Sequence, residues 1–360
     1  MNPVASAPRS DIRDAYSRMA VCKTMAILVI CAGLGLLILV AAASGSANLR
    51  VEDVAKIITS RLLPSLQWEV SVRDTAIIWD IRLPRVAMGI LAGAGLAVSG
   101  ATMQGILRNP LVSPFTIGIS AAASFGASVA IILGAGMIGM QQYMIITNAF
   151  AFSLAAAFLV YVLAGSRGMR PESLVLAGIA INYFFSAGTS LLQYVAGEEE
   201  VRAVVHWLFG SLTGVTWGNA LVVAVVLAIC IPWLIRHAWD LNALAGGDDL
   251  AMTLGINPRR IRTVCMILSV LMTASVICFT GIIGFVCLVS PHIARMIIGA
   301  DHRFLLPCSG LLGAIMLLGA DTLGRAAFQP SVIPVGIVVS LIGVPFFIYL
   351  VMKTRREYFQ

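Results

Sequence analysis

The stretch Thr263–Ile298, TVCMILSVLMTASVICFTGIIGFVCLVSPHIARMII, runs for 36 residues with a single charge, Arg295. About 20 helical residues cross the roughly 30 Å hydrocarbon core of a bilayer, so this stretch is too long for one crossing. Gly281 and Gly284 fall near its middle, where residues without a Cβ suit a tight reversal. It therefore reads as two abutting spans, Thr263–Gly281 and Ile282–Ile298, of a chain that threads a membrane repeatedly.

The rest of the chain agrees. Of its 360 residues 59% are apolar and only 11% charged, and the mean hydropathy is +0.94. A soluble domain is about one quarter charged, which excludes an ordinary globular protein. Eight further apolar runs approach bilayer length: Met25–Ala43, Val86–Leu107, Phe115–Ala135, Tyr143–Gly165, Ser173–Ala196, Asn219–Ile235, Leu305–Leu323 and Ile333–Met352. The expected fold is an all-α polytopic membrane protein of ten transmembrane helices. It divides into a tail (1–24), a transmembrane domain (25–352) and a second tail (353–360). Ala41–Ala47 resembles a small-residue cleavage site, but the apolar run before it has 19 residues, longer than the 7 to 15 of a secretory signal, so it reads as a retained anchor.

Charge placement orients the spans. The chain has 24 Lys and Arg and a net charge of +7. With the amino terminus inside, 16 of the 24 fall in cytoplasmic segments, as the positive-inside rule requires, and both termini are cytoplasmic. Six of the remaining eight sit in one long outer loop, 44–85; the other two are Arg202 and Arg325. The basic residues are scattered between apolar runs rather than clustered on a polar face, which argues against a nucleic-acid binder.

Enzyme signatures are missing. The sequence contains no His-Glu-x-x-His, no Gly-x-Ser-x-Gly and no Gly-Lys-Ser/Thr of a P-loop. The seven cysteines form no Cys-x-x-Cys pair and read as small apolar residues, so neither metal nor cofactor is expected. The central thirds of the spans hold no Asp, Glu, Lys or Arg. Ion-coupled carriers usually keep such charges near the midplane, so an energy source outside the chain is the better reading than an ion gradient. An ion-driven secondary transporter and a non-transporting membrane scaffold are the rivals. Glu198, Glu199 and Glu200 are read as a solvated loop.

The longest inner loop, 236–262, contains Gly246-Gly-Asp-Asp-Leu-Ala-Met-Thr-Leu-Gly-Ile-Asn-Pro258 followed by Arg259, Arg260 and Arg262. Acids at its start and Gly then Pro after its end are helix cap signals. It reads as a short surface helix, with Leu250, Ala251 and Leu254 as apolar contacts for a cytoplasmic partner.

Four fragments in order resemble the permeases of iron-chelate, haem and cobalamin ABC importers. They are Arg82-Leu-Pro-Arg85 with Gly93, Gly100, Gln104 and Arg108-Asn-Pro-Leu111; Trp207-Leu-Phe-Gly-Ser211 with Trp217; Gly284-Phe-Val-Cys-Leu-Val-Ser-Pro-His292 with Arg295 and Asp301-His-Arg303; and Pro334-Val-Gly-Ile337 with Gly343-Val-Pro-Phe346. The chain departs from the family pattern at Cys287, Ala121, Val332 and Pro171-Glu172. The resemblance implies a cobalamin-permease-like bundle in the cell membrane that pairs as a homodimer or with a paralogous permease. It further implies ATP-binding cassette ATPase subunits docked inside and an extracytoplasmic substrate-binding protein outside. Arg82, Arg85 and Arg325 match arginines that receive the binding protein's glutamates. Asp248, Asp249, Leu250, Ala251, Leu254 and Gly255 match the coupling helix that meets the ATPase. A ferric siderophore is the leading substrate expectation, with haem, cobalamin and molybdate as alternatives.

Overall fold

The computed structural model describes residues 9–45, 51–62, 68, 71–136, 140–166, 168–327 and 331–353. Among these there is no strand. The helices are α1 (Arg9–Ala43), α2 (Val51–Leu62), α3 (Val72–Ala76), α4 (Leu83–Leu107), α5 (Ile119–Leu133), α6 (Gln141–Gly165), α7 (Pro171–Val195), α8 (Glu198–Leu208), α9 (Trp217–Arg236), α10 (Ala238–Ala245), α11 (Asp248–Thr253), α12 (Pro258–Thr280), α13 (Val286–Ile298), α14 (His302–Ala326) and α15 (Val335–Lys353). A π-helical turn, Ile77–Arg82, joins α3 to α4 without a break, and a 3-10 turn, Pro114–Ile117, precedes α5.

Seven described helical segments are long and apolar enough to cross a bilayer: Ser17–Ala43, Val72–Leu107, Gln141–Gly165, Pro171–Val195, Trp217–Arg236, Pro258–Thr280 and His302–Ala326. The other three expected spans appear as the shorter apolar helices Ile119–Leu133, Val286–Ile298 and Val335–Tyr349. The eighth run departs most from expectation. Its first residues are not helical, because the chain turns at Gly281 (φ 69°) and stays irregular until α13 begins at Val286. Gly284 takes part as an acceptor, its carbonyl receiving the amide of Val286 at 2.7 Å, and the second positive-φ residue of the reversal is Phe285, at φ 62°.

Helix α4 lies at the centre, packed by α14, α12, α13 and α9, and α5, α6 and α7 form a second group joined to the first mainly through α12 and α6. Small residues permit these contacts. A Cβ added at Gly93 would strike the carbonyl of Gly313, one at Gly313 would strike the carbonyl of Gly93, and one at Gly100 would strike the carbonyl of Cys287. Backbones this close supply the van der Waals contact that apolar side chains alone do not provide in lipid.

The expected loops are more ordered than read. The 236–262 segment holds both α10 and α11, with Arg236 already in α9 and Arg262 in α12. Glu198–Glu200 form the first turn of α8, where their charge complements the helix dipole. Within the outer loop 44–85, α2 is amphipathic and buries Val54 and Ile57 against Ala42 and Ile78. Helix α1 begins well before Met25, while most of the expected second tail lies outside the described residues.

Candidate functional site

Two polar clusters cap opposite ends of the α4–α14 pair. The first gathers the three arginines expected to receive a docking partner, and it corrects the expectation that they stand exposed. Arg82 and Arg325 are only 6% and 8% exposed. Helix α1 ends here, and its final carbonyls have no partner within the helix. Arg82 Nη1 donates to the carbonyls of Ala42 and Ala43 at 2.9 and 2.8 Å, and Arg325 donates to those of Ser44 and Ala41 at 2.7 and 3.1 Å. Cations at a helix C-terminus also offset its negative dipole end. The first four residues of the small-residue stretch, Ala41–Ser44, are thus gripped by arginines, and residues 46–50 lie outside the described set.

Asp321, 1% exposed on α14, joins Arg85 to Arg325. Its Oδ1 accepts from Arg85 Nη2 at 2.8 Å and its Oδ2 from Arg325 Nε at 3.0 Å. Arg85 also donates to Thr213 Oγ1 at 3.3 Å. Arg325 lies within α14, not in a loop, because one turn of helix brings it beside Asp321. Two guanidiniums share one carboxylate, while Arg82 caps the carbonyls that end α1. Hydropathy and local spacing gave no sign of Asp321, which lies 236 positions from Arg85 along the chain.

The second cluster anchors α11. Arg262, 1% exposed in the second turn of α12, holds Asp248 with both Nη atoms at 2.7 and 2.6 Å, and its Nε donates to the carbonyl of Ile106 at 3.0 Å. Bidentate pairing of this kind fixes orientation as well as charge. The hydrogen bond from Arg262 holds the Asp248 carboxyl below its ordinary range, outweighing partial burial, with help from the charges of Arg108 and Arg170. Helix α10 is latched on the other side, where Asn242 donates to Asp301 at 2.8 Å and accepts from the amide of His302 at 2.8 Å.

The apolar residues of α11 divide. Ala251 is buried in its own chain, which corrects its expected role as a partner contact. Leu250 and Leu254 are exposed, and Met252, which the sequence reading passed over, is exposed with them. Asp249 is exposed in the first turn, and Gly255 ends the stretch at φ 80°. The result is an apolar ridge held on a rigid, charge-anchored base.

Close-packed apolar helices, with buried charges gathered toward their ends and an anchored, partly apolar segment at one of them, define a membrane transport subunit. The FecCD transport family model matches residues 33–353, and the chain belongs to that family. It is a multi-pass permease subunit of an ABC importer, with ATP hydrolysis carried by a separate subunit. It is 38% identical to a hemin transport system permease protein of Yersinia pestis over 331 residues, covering 90% of this chain and 96% of the relative. It is 39% identical to an Fe(3+)-citrate import system permease protein of Bacillus subtilis over 281 residues, covering 78% and 83%. A solved structure described as an inward-facing conformation of a metal-chelate type ABC transporter superposes with a TM-score of 0.78 at 31% identity, covering 92% of this chain and 99% of that one.

Proposed function

We propose that this permease carries a ferric siderophore into the cytoplasm, driven by ATPase subunits that dock on α11. The observation that carries the docking half of this reading is the exposed ridge of Leu250, Met252 and Leu254 on a helix fixed by the Asp248–Arg262 pair. An apolar ridge rimmed by charge is a common form of partner contact. In this reading the ten apolar helices all span, both termini and α11 are cytoplasmic, and the permease works as a homodimer or beside a paralogous permease.

A loaded substrate-binding protein docks at the opposite end, over Arg82, Arg85 and Arg325. Their burial changes the form of that proposal. Arg85, at 11% side-chain exposure the most accessible of the three, makes the direct contact, while Arg82 and Arg325 hold the surface and add positive field. Carboxylates of the docked protein then meet a cluster rich in guanidinium donors.

Similarity to an Fe(3+)-citrate permease protein favours an iron chelate, and the longer match to a hemin permease protein makes haem the second reading. The test is uptake by proteoliposomes holding the permease with its ATPase and binding protein. ATP-dependent entry of a ferric hydroxamate, with no entry of haem, supports the first reading; the reverse selects the second. Uptake indifferent to ATP would remove the importer assignment.

A further inference from the structure

A proline sits inside a continuous helix. Residues 72–107 run without a break through α3, the π-helical turn and α4, and Pro84 lies among them. A proline ring collides with the carbonyl four residues back and offers no amide, so a helix passes it only by widening or bending. Here the helix widens. The amide of Leu83 donates to the carbonyl of Ile78, five residues back, which is the hydrogen bond of a π turn. In that register the carbonyl of Trp79 would be met by the amide of residue 84, and a proline has none.

The missing donor comes from a distant part of the chain. Trp217 Nε1, at the start of α9, donates to the carbonyl of Trp79 at 2.8 Å, and the two indole rings lie 5.7 Å apart. Arg61 of α2 also lies over the Trp79 ring, at 5.6 Å from its centroid. Just before Trp217 in sequence, Thr213 Oγ1 accepts from Arg85 Nη1 at 3.3 Å. Segment 213–217 therefore holds the helix on both sides of Pro84, at Trp79 before it and at Arg85 after it.

We propose that Trp217 is a positioning residue of the docking surface. By supplying the donor that Pro84 withholds, it fixes the π turn and, through the turn, the placement of Arg82 and Arg85. It acts through the Trp79 carbonyl and not by touching the docked protein. The proposal deepens the reading of Arg85 as the contact for the binding protein and rests on it.

The test is the affinity of loaded binding protein for the assembled transporter in lipid nanodiscs, with the melting temperature measured alongside. Trp217→Phe keeps a ring and loses the N–H. Trp217 is 41% exposed, so the released carbonyl turns to water and the melting temperature is expected to hold. Affinity is expected to fall roughly two- to tenfold, the net worth of one hydrogen bond. Pro84→Ala restores an amide five residues after Trp79, and on that background Trp217→Phe is expected to cost no affinity. An equal loss in both backgrounds means that Trp217 acts by another route and overturns the proposal, as does a melting temperature that falls in step with affinity. Trp217→benzothienylalanine, which replaces the N–H by sulfur and keeps the bicyclic ring, tests the same bond without recourse to Pro84, and wild-type affinity there also overturns it. Arg85→Glu is the reference. Loss of binding in Arg85→Glu with none in Trp217→Phe removes the positioning role alone, whereas wild-type binding by Arg85→Glu removes the docking reading itself.

Discussion

Arg262 reaches from the second turn of α12 to clasp Asp248 at the start of α11, with Nη···Oδ distances of 2.6 and 2.7 Å, while its Nε holds the last turn of α4 at Ile106. One side chain therefore ties the surface helix to two buried ones. Asp248→Asn keeps the shape but loses the charge-assisted bonds, worth about 1.5–3 kcal/mol. We expect uptake to fall at least about tenfold, the equivalent of 1.4 kcal/mol or more in coupling, with membrane insertion unchanged. ATPase activity that no longer responds to loaded binding protein would identify the loss as one of coupling.

The exposed part of α11 predicts a different defect. Leu250→Asp with Leu254→Asp places charge where an apolar contact is expected, and hot-spot residues of this kind typically cost about 2 kcal/mol or more each. The permease should still melt at the wild-type temperature in detergent but should no longer retain the ATPase on a size-exclusion column. Normal co-elution would remove α11 as the docking helix.

At the other end, Asp321→Asn leaves the buried guanidiniums of Arg85 and Arg325 without their shared carboxylate. Breaking a buried ionic network costs about 3–5 kcal/mol, so a clear drop in melting temperature is expected. Arg85→Glu separates structure from docking. Combined with Asp321→Arg, which restores an opposite-charge pair, it should recover stability while binding-protein affinity stays low; recovery of both would make the cluster purely structural.

Asp301 offers a pH test outside the spans. Burial opposes its ionisation, but hydrogen bonds from Arg303 and Asn242 prevail and hold its carboxyl down to about 2, against 3.8 ordinarily. Because the folded value is depressed, its stabilising contribution is complete above about pH 4 and is lost as pH falls toward 2. Acid melting of the wild type should fall more steeply than that of Asp301→Asn across this window, and parallel curves would contradict the assignment.

The span pattern was legible because apolar length is a local property, and all ten expected runs correspond to apolar helices. The reversal at Gly281 was legible from the glycine and the excess length of the run, and its close approach to the carbonyl of Trp207 shows why a side chain is excluded there. The arginine cluster was misread because its partners are remote in sequence. Nothing near Arg82 announces that the carbonyls of Ala42 and Ala43 lie against it, nor does anything near Arg85 announce Asp321. The pair Asp248–Arg262 spans only 14 positions, and an acid opening one helix followed by a base opening the next was a signal within reach. Helix α8 was similarly readable from three glutamates in its first turn and a histidine in its last.

The reciprocal approach of Gly93 and Gly313 leaves no side-chain layer between α4 and α14 at their crossing. Helices normally slide or roll over one another by letting side chains change rotamer, and here there are none to yield. The two helices are in effect a single beam, pinned at one end by the Arg85–Asp321 bond and tied to α11 at the other through Ile106 and Arg262. Such a beam resists shear along its length, because sliding either helix past the other would drive a backbone carbonyl into a backbone.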